Sequence, residues 1–212
     1  MKDFACINEI IISNGDVANS INYIDEKVKI YDDYNDLNGV YSLELRFICG
    51  LRATNENIII MDDDVYIVED EFNKLVAEYH RNPNRIVGHF GRNIDKGYNG
   101  ENAVGDVDIV LTRLLVCHKK LCSLFFICKP IIEHIYKKGE PYGNGEDIFF
   151  SFIGSIYYKR KHVCLDNIRI VNLPQNDAIS ARKNHYVYRN ELATYLVNNS
   201  SIFHKFIGML LI

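Results

Sequence analysis

The sequence contains no tryptophan, only four prolines and no apolar run long enough to cross a membrane. One of its longest apolar stretches, residues 202–212, is interrupted by His204 and Lys205, whereas a membrane helix needs about 20 apolar residues. The first five residues begin charged and lack the apolar core of a secretory signal. We therefore expect a soluble, cytoplasmic protein with no membrane-spanning segment.

Cysteine pairs of the CxxC type are also missing, although the chain has six cysteines. Most of them lie in apolar stretches, as Cys49 does, which is typical of buried cysteines in a reducing compartment. The alternative is a zinc site formed by Cys117, His118 and Cys122, whose spacing matches no standard zinc pattern. The P-loop motif GxxxxGK[ST] is absent as well, which excludes a P-loop NTPase.

Neither sign of charge is in strong excess. With 24 basic and 28 acidic residues the net charge is −4, which argues against nucleic acid as a partner. Hydrophobic residues make up 48% and charged residues 25%, so we expect residues 1–212 to fold as a single domain with a sizeable core. The heavy use of Ile, Asn, Lys and Tyr is typical of an AT-rich genome, such as that of a large DNA virus or a low-GC organism.

Strand and helix patterns alternate along the first half of the chain. The predicted strands are residues 9–13, 28–31, 57–61, 85–89, 107–117, 162–165 and 168–172. The predicted helices are residues 42–53, 68–81, 119–126, 130–138 and 146–158, followed by one or two helices at the end of the chain. This alternation predicts an α/β domain with a largely parallel central mixed sheet, in which ligands bind beyond the carboxyl ends of the strands.

Three adjacent aspartates, Asp62, Asp63 and Asp64, follow directly after the apolar strand 57–61. Adjacent carboxylates repel one another, so the chain either exposes them to solvent or neutralises them with a cation. In an extended chain Asp62 and Asp64 lie on the same side. Two such ligands, with the other positions filled by a diphosphate and water, suit Mg²⁺ or Mn²⁺. A turn whose aspartates are only solvated is the alternative.

A second acidic motif, Glu146 and Asp147, follows the glycine-rich segment 139–145 and opens an apolar helix. The helix dipole stabilises acids at this position, so plain helix capping is one explanation. The preceding glycines let a substrate approach the backbone closely, which capping alone does not require. We therefore predict that this acid pair belongs to a site.

Basic side chains follow two further strands. Arg92 comes after strand 85–89, where a guanidinium group can bind a phosphate or a sugar. Arg182, Lys183 and His185 follow strand 168–172, where they could contact a diphosphate or complete a metal site. Ordinary surface positions are the alternative for all four residues.

Taken in order, these segments resemble the GT-A glycosyltransferases, and among them the exostosin-like family 64 domain. The resemblance is carried by IIIMDDDVYI, IVGHFGR, DIVLTRLLV, GNGEDIFFSF and IVNLPQ with a downstream histidine, and it covers about residues 9–191. It implies a nucleotide-diphospho-sugar-binding sandwich and a metal-dependent, retaining hexosyltransferase. The alternative is an inverting enzyme, in which Asp147 would deprotonate the acceptor hydroxyl. The donor would be a nucleotide sugar such as a UDP-sugar, the acceptor a glycan or glycoprotein, and the cofactor Mn²⁺ or Mg²⁺.

The resemblance also implies roles for the acidic residues. Asp64 would be the main metal ligand, with Asp62 and Asp63 around the ribose and sugar of the donor. Glu146 and Asp147 would lie beside the reacting sugar as the catalytic acids.

Two arginines receive roles in the same way. Arg46, on the predicted helix 42–53, matches a position near the nucleotide, and Arg92 matches a contact of the donor sugar. Arg182 is the further candidate for the donor's diphosphate.

The beginning of the chain departs from the GT-A pattern. GT-A domains start with a strand and a turn that contact the base, whereas this chain starts just before EIIISNG, which resembles the second strand. The first strand is therefore expected to be missing or replaced, unless the chain is a fragment of a longer protein. We expect strand 9–13 to lie next to strand 57–61, with Asn14 and the rest of turn 14–16 at the nucleotide edge.

Two other functions fit part of the pattern. A haloacid-dehalogenase-like phosphohydrolase also carries Asp-x-Asp after an apolar strand, but at its first strand and usually with Thr or Val where this chain has Tyr66. A GT-A relic that binds nucleotide sugars without catalysis is the second. A phosphatase assay distinguishes the first alternative from the transferase, and metal-dependent hydrolysis of a nucleotide sugar distinguishes the second.

Overall fold

The computed structural model describes residues 1–14, 20–32, 37–95, 97–136, 145–174 and 183–211. The strands are β1 (Ile10–Asn14), β2 (Val28–Asp32), β3 (Asn57–Met61), β4 (Val65–Ile67), β5 (Val87–Gly88), β6 (Gly91–Arg92), β7 (Gly105–Val107), β8 (Ile109–Val110), β9 (Leu114–His118), β10 (His162–Cys164) and β11 (Ile170–Asn172). The helices are α1 (Leu37–Tyr41), α2 (Leu45–Arg52), α3 (Glu69–Arg81), α4 (Lys120–Tyr136), α5 (Glu146–Tyr158), α6 (His185–Asn198) and α7 (Ser200–Leu210). Of these helices, none is both long and apolar enough to cross a membrane.

Elements with a clear local pattern are confirmed. Strand β3 and helix α5 have the predicted bounds, and α3 begins one residue after the predicted start. In α3 the buried residues Phe72, Leu75 and Tyr79 recur every three or four positions, which places them on one face of the helix. Five of the six cysteines are buried, as their apolar surroundings predict.

The central sheet has five strands in the order β3-β9-β5-β10-β7. Its β5–β10 pairing is parallel, whereas β3–β9, β5–β9 and β7–β10 are antiparallel. The prediction of a largely parallel sheet is therefore wrong, and the sheet is mixed. A parallel return requires a crossover, usually a helix. The described residues between β5 and β9 form short strands without a helix, so β9 returns antiparallel between β3 and β5.

Two predicted elements have different boundaries in the structure. The predicted strand 107–117 is broken at residues 111–113, which form a turn between β8 and β9. The predicted helices 119–126 and 130–138 form the single helix α4, which contains Pro130. Proline removes one helix hydrogen bond, and packing of α4 against α2 and α5 holds the helix together around it. The break at 111–113 matters for the site, because it turns Thr112 and Arg113 towards the groove described below.

Strands β1 and β2 pair with each other in parallel and form a separate two-stranded sheet. The expectation that residues 9–13 lie next to β3 is therefore wrong. Strand β1 contacts α2 instead, and α2 in turn contacts β3. Residues 15 and 16 of the predicted turn lie outside the described residues.

Apolar side chains cover both faces of the central sheet. In β9, Leu115 and Cys117 pack into a core shared with α2, α4, α5, α6 and α7. Leu114 and Val116 alternate with them and pack into a smaller core under α3. The described chain thus forms a helix–sheet–helix sandwich, in which the turn after β3 meets the beginning of α5.

Candidate functional site

A groove of about 1360 Å³ brings most of the predicted site residues together. Its walls include the end of β3, the turn before β9 and the first turns of α5 and α6. The predicted residues that line it are Arg46, Asp62, Asp63, Asp64, Arg92, Glu146, Asp147 and His185. These residues come from distant parts of the sequence, so the groove is a product of the fold.

The acidic turn, which we define as residues 62–64, connects β3 to β4. The backbone N–H of Asp62 donates to the carbonyl oxygen of Arg113 at 3.0 Å, and that of Leu173 donates to the carbonyl oxygen of Asp64 at 2.7 Å. Asp63 is exposed, whereas Asp64 is only 7% exposed. Backbone hydrogen bonds therefore fix the turn at both ends.

Arg46 from α2 binds the first aspartate of this turn. Its Nη1 donates to Oδ1 of Asp62 and to Oγ1 of Thr112, both at 2.7 Å. Thr112 in turn donates to Oε1 of Glu146 at 3.4 Å. Burial raises the pKa of the Asp62 carboxyl, and the nearby Arg46 guanidinium opposes that rise. The result is a chain of polar contacts from α2 through the acidic turn to α5.

Arg113 binds the last aspartate of the turn. Its Nη2 donates to Oδ2 of Asp64 at 2.8 Å and its Nε donates to Oδ1 at 3.4 Å. The guanidinium carbon lies 4.9 Å from the centre of the Phe90 ring, within the range of a cation–π contact. Both carboxylate oxygens of Asp64 are therefore engaged by one side chain.

Glu146 and Asp147 are the first residues of α5, and both are almost fully buried. Arg189 from α6 donates through Nη2 to Oδ1 and Oδ2 of Asp147, at 2.9 and 2.8 Å. Its guanidinium carbon lies 4.6 Å from the centre of the Tyr98 ring. Oδ1 of Asp147 also accepts from the N–H of Ile148 at 2.8 Å, so Asp147 supports the helix start as the capping interpretation predicts. A buried ion pair to a second helix goes beyond what capping requires.

Glu146 has an altered proton affinity. Its Oε2 accepts from the N–H of Gly145 at 3.2 Å. Burial, and next the charge of Asp147, raises the pKa of Glu146 to about 7, against the opposing charges of Arg46 and Arg189. A carboxyl group with this pKa can release and take up a proton near neutral pH.

Arg92 and His185 also line the groove. Arg92 donates to the carbonyl oxygen of Gly91 at 2.6 Å and to Oδ1 of Asn102 at 2.8 Å, and its buried Nε has no partner among the described residues. His185 begins α6 and meets the ring of Tyr186 edge-on. Roles for Arg92 at the sugar and for His185 at a metal stay predictions.

Two predicted residues are not brought to this groove by the described structure. Asn14 is not among the residues that line the groove, and its side-chain amide donates to Oδ1 of Asp32 at 2.8 Å across the β1–β2 pair. Arg182 lies outside the described residues. A contact of either residue with the nucleotide or diphosphate stays a prediction.

Sequence reasoning missed several residues of the groove, namely Tyr98, Thr112, Arg113 and Arg189. Thr112 and Arg113 were hidden because residues 107–117 resemble one continuous strand. His185 and Arg189 are four residues apart, a spacing that places two side chains on the same face of a helix, so this signal was present in the sequence.

The acidic turn fits a divalent cation by its chemistry. Mg²⁺ prefers oxygen ligands and commonly takes only one or two carboxylates, with phosphate oxygens and waters completing its coordination. Within the described ranges no group of three His, Cys, Asp or Glu side chains could hold a metal, so waters or a ligand such as a diphosphate would have to supply the remaining oxygens. Asp64 and Asp62 would hold the ion, in competition with Arg113 and Arg46.

Comparison with known proteins identifies the family of the chain. The sequence model described as "Glycosyl transferase family 64 domain" matches residues 28–202, which include the acidic turn, Glu146, Asp147 and Arg189. No curated protein matches the chain at a significant level. Among solved structures, the chain is similar to the "Crystal Structure of A197 from STIV", with 16% identity, a TM-score of 0.36 and coverage of 75% of this chain and 86% of that chain. This similarity is too low to support a conclusion about the fold or the function of the chain.

Proposed function

Because the chain belongs to the family 64 glycosyltransferase domains, we propose that it transfers a sugar from a nucleotide-diphosphate sugar to a hydroxyl group of a glycan or glycoprotein. We further propose that the donor is a UDP-sugar, that the reaction requires Mn²⁺ or Mg²⁺, and that it retains the anomeric configuration. The observation that carries the proposal is the convergence of the acidic turn with Glu146 and Asp147 on one groove within the matched residues.

The arginines of the groove suit the diphosphate of such a donor. Guanidinium groups bind phosphate oxygens through two parallel hydrogen bonds, and Arg46, Arg92 and Arg113 all line the groove. A cation held by Asp64 would stabilise the negative charge that grows on the diphosphate as the bond to the sugar breaks. Fixed positive charge near the acidic turn therefore supports donor binding there.

The acid pair of α5 suits the sugar end of the donor. The sugar becomes positively charged in the transition state of glycosyl transfer, and a carboxylate beside it lowers the barrier. Asp147 is the candidate for this role, because Arg189 and the N–H of Ile148 fix its orientation. Glu146, with its pKa of about 7, is the candidate for exchanging a proton with the acceptor hydroxyl.

Titration calorimetry with a panel of UDP- and GDP-sugars, in Mn²⁺ and in chelator, combined with a hydrolysis assay, tests the proposal. We expect UDP-sugars to bind weakly without the cation, and Asp64→Ala to remove both the cation dependence and the turnover. As a control, Asp166→Ala removes an exposed carboxylate that is not among the residues lining the groove, and should preserve both properties.

Two results would contradict parts of this proposal. Equal affinity for UDP in chelator and in Mn²⁺ would remove the metal from the mechanism. Tight, cation-dependent binding of nucleotide sugars with neither hydrolysis nor transfer would instead favour a binding protein without catalysis.

A further inference from the structure

Arg113 binds the acidic turn through both its backbone and its side chain. Its carbonyl oxygen accepts the N–H of Asp62 at 3.0 Å, and its guanidinium group binds both carboxylate oxygens of Asp64. The first contact fixes the distance between the two chain segments, and the second occupies the carboxylate proposed as the main metal ligand. The fold therefore fixes the backbone of Arg113 beside the acidic turn, within reach of Asp64.

The surroundings of the pair are asymmetric. The Asp64 side chain is 7% exposed, whereas that of Arg113 is 28% exposed and lies against Phe90. Water can therefore hydrate Arg113 after it leaves Asp64, while Asp64 left alone would be a nearly buried charge without compensation. Release of Arg113 is costly unless another cation reaches Asp64 at the same time.

We propose that Arg113 is a latch on Asp64 that a divalent cation must displace, so that Arg113 sets the affinity of the acidic turn for the cation. This inference rests on the proposed function only in taking Asp64 as the metal ligand. A divalent cation bound at Asp64 would lie next to the guanidinium group of Arg113, and the two positive charges repel each other, so binding of the cation favours release of Arg113. The apparent affinity for the cation is proportional to the fraction of time for which the latch is open, so a latch closed for about 90–99% of the time weakens cation binding by about 10- to 100-fold.

A nucleoside diphosphate should help to open the latch. Its phosphate oxygens offer the released guanidinium group a new anionic partner in the same groove, and they also offer ligands to the cation. Cation and nucleotide should therefore each strengthen the binding of the other, by the same factor in both directions. Arg113 is thus a positioning residue, which couples the two binding events.

The test measures Mn²⁺ affinity of the full chain without nucleotide, by electron paramagnetic resonance of the free ion. We expect Arg113→Ala to bind Mn²⁺ at least about 10-fold more tightly than the unchanged chain does. When UDP is added, the Mn²⁺ affinity of this variant should increase by a smaller factor than that of the unchanged chain. Arg113→Lys, which keeps the charge but loses the two-pronged contact, should fall between them. It also serves as the second variant if Arg113→Ala does not fold.

The matched control separates the latch from a general effect of charge. Arg92→Ala also removes a positive charge from the groove, but Arg92 makes its hydrogen bonds to Gly91 and Asn102, so Mn²⁺ affinity should change by less than about 3-fold, the effect of screened charge alone. The double variant Arg113→Ala with Asp64→Ala should lose the gain. Unchanged or weaker Mn²⁺ binding by both Arg113 variants, or an equal gain in Arg92→Ala, would overturn the latch.

These outcomes are distinguishable from failure of the proposed function. A gain in Mn²⁺ affinity that requires Asp64 supports the latch even if no nucleotide sugar reacts. Metal-dependent sugar transfer with no gain in either Arg113 variant would overturn the latch and leave the transferase proposal standing.

Discussion

Arginines neutralise both acidic parts of the groove, but water reaches the two sets of arginines to different degrees. At the acidic turn the side chains of Arg46 and Arg113 are 20% and 28% exposed, whereas Arg189, which holds Asp147, is 5% exposed. A partly hydrated guanidinium group can exchange its partner for another anion at a lower cost than a buried one can. We infer that the acidic turn is suited to exchange ligands, and that the Asp147–Arg189 pair is suited to hold a fixed charge beside the reaction.

The largest effect that follows from this contrast concerns catalysis. Asp147→Asn keeps the size of the side chain but removes the charge proposed to face the sugar, so turnover should fall by about 10²- to 10⁴-fold. Donor affinity should stay within a few-fold of the original, because the diphosphate is assigned to the other end of the groove. Steady-state kinetics and calorimetry on the same preparation measure turnover and donor affinity. Normal turnover would mean that Asp147 acts only as a helix cap.

The next effect concerns stability and compares the two regions directly. Arg189→Ala leaves the carboxylate of Asp147 buried without its cation, and should lower the free energy of unfolding by about 3–5 kcal/mol. The matched change Arg46→Ala should cost about 1 kcal/mol, because water can hydrate Asp62, whose side chain is 29% exposed. Urea denaturation of both variants gives the two values, and equal losses would remove the distinction between the regions.

The acidic motifs themselves could be predicted from the sequence, and the pairing of each carboxylate with its arginine could not. The three aspartates follow an apolar strand and the Glu146–Asp147 pair opens an apolar helix, so short-range patterns reveal both, as they reveal β3, α3 and α5. Arg113 and Arg189 bind carboxylates that are 49 and 42 positions away, and only tertiary packing decides such pairings. The prediction of strand direction in the central sheet was wrong for a related reason. The connection between β5 and β9 determines that these strands are antiparallel, and the alternation of helices and strands along the sequence does not.

A further effect, near the lower end of that expected for Arg189→Ala, is a dependence of stability on pH, and it arises at Glu146. Burial raises the pKa of Glu146 from 4.5 to about 7, so the folded chain holds this proton more tightly than the unfolded chain. Below the unfolded pKa of 4.5 both states are protonated and the contribution to stability is complete. As pH rises from 4.5 to 7 the unfolded chain releases the proton first, so stability from this group is lost, by about 3 kcal/mol in all.

Glu146→Gln isolates that contribution, because glutamine has the same shape and does not titrate. We expect the free energy of unfolding of the variant, relative to that of the unchanged chain, to rise by about 3 kcal/mol between pH 4.5 and pH 7.5. Other titrating groups are common to both proteins and cancel in the difference. Urea denaturation at four pH values across this window gives the curve. A difference that does not vary with pH would mean that Glu146 ionises in the folded chain as it does in the unfolded chain, and the acid pair of α5 would then differ from the acidic turn in the exposure of its arginine and not in the titration of Glu146.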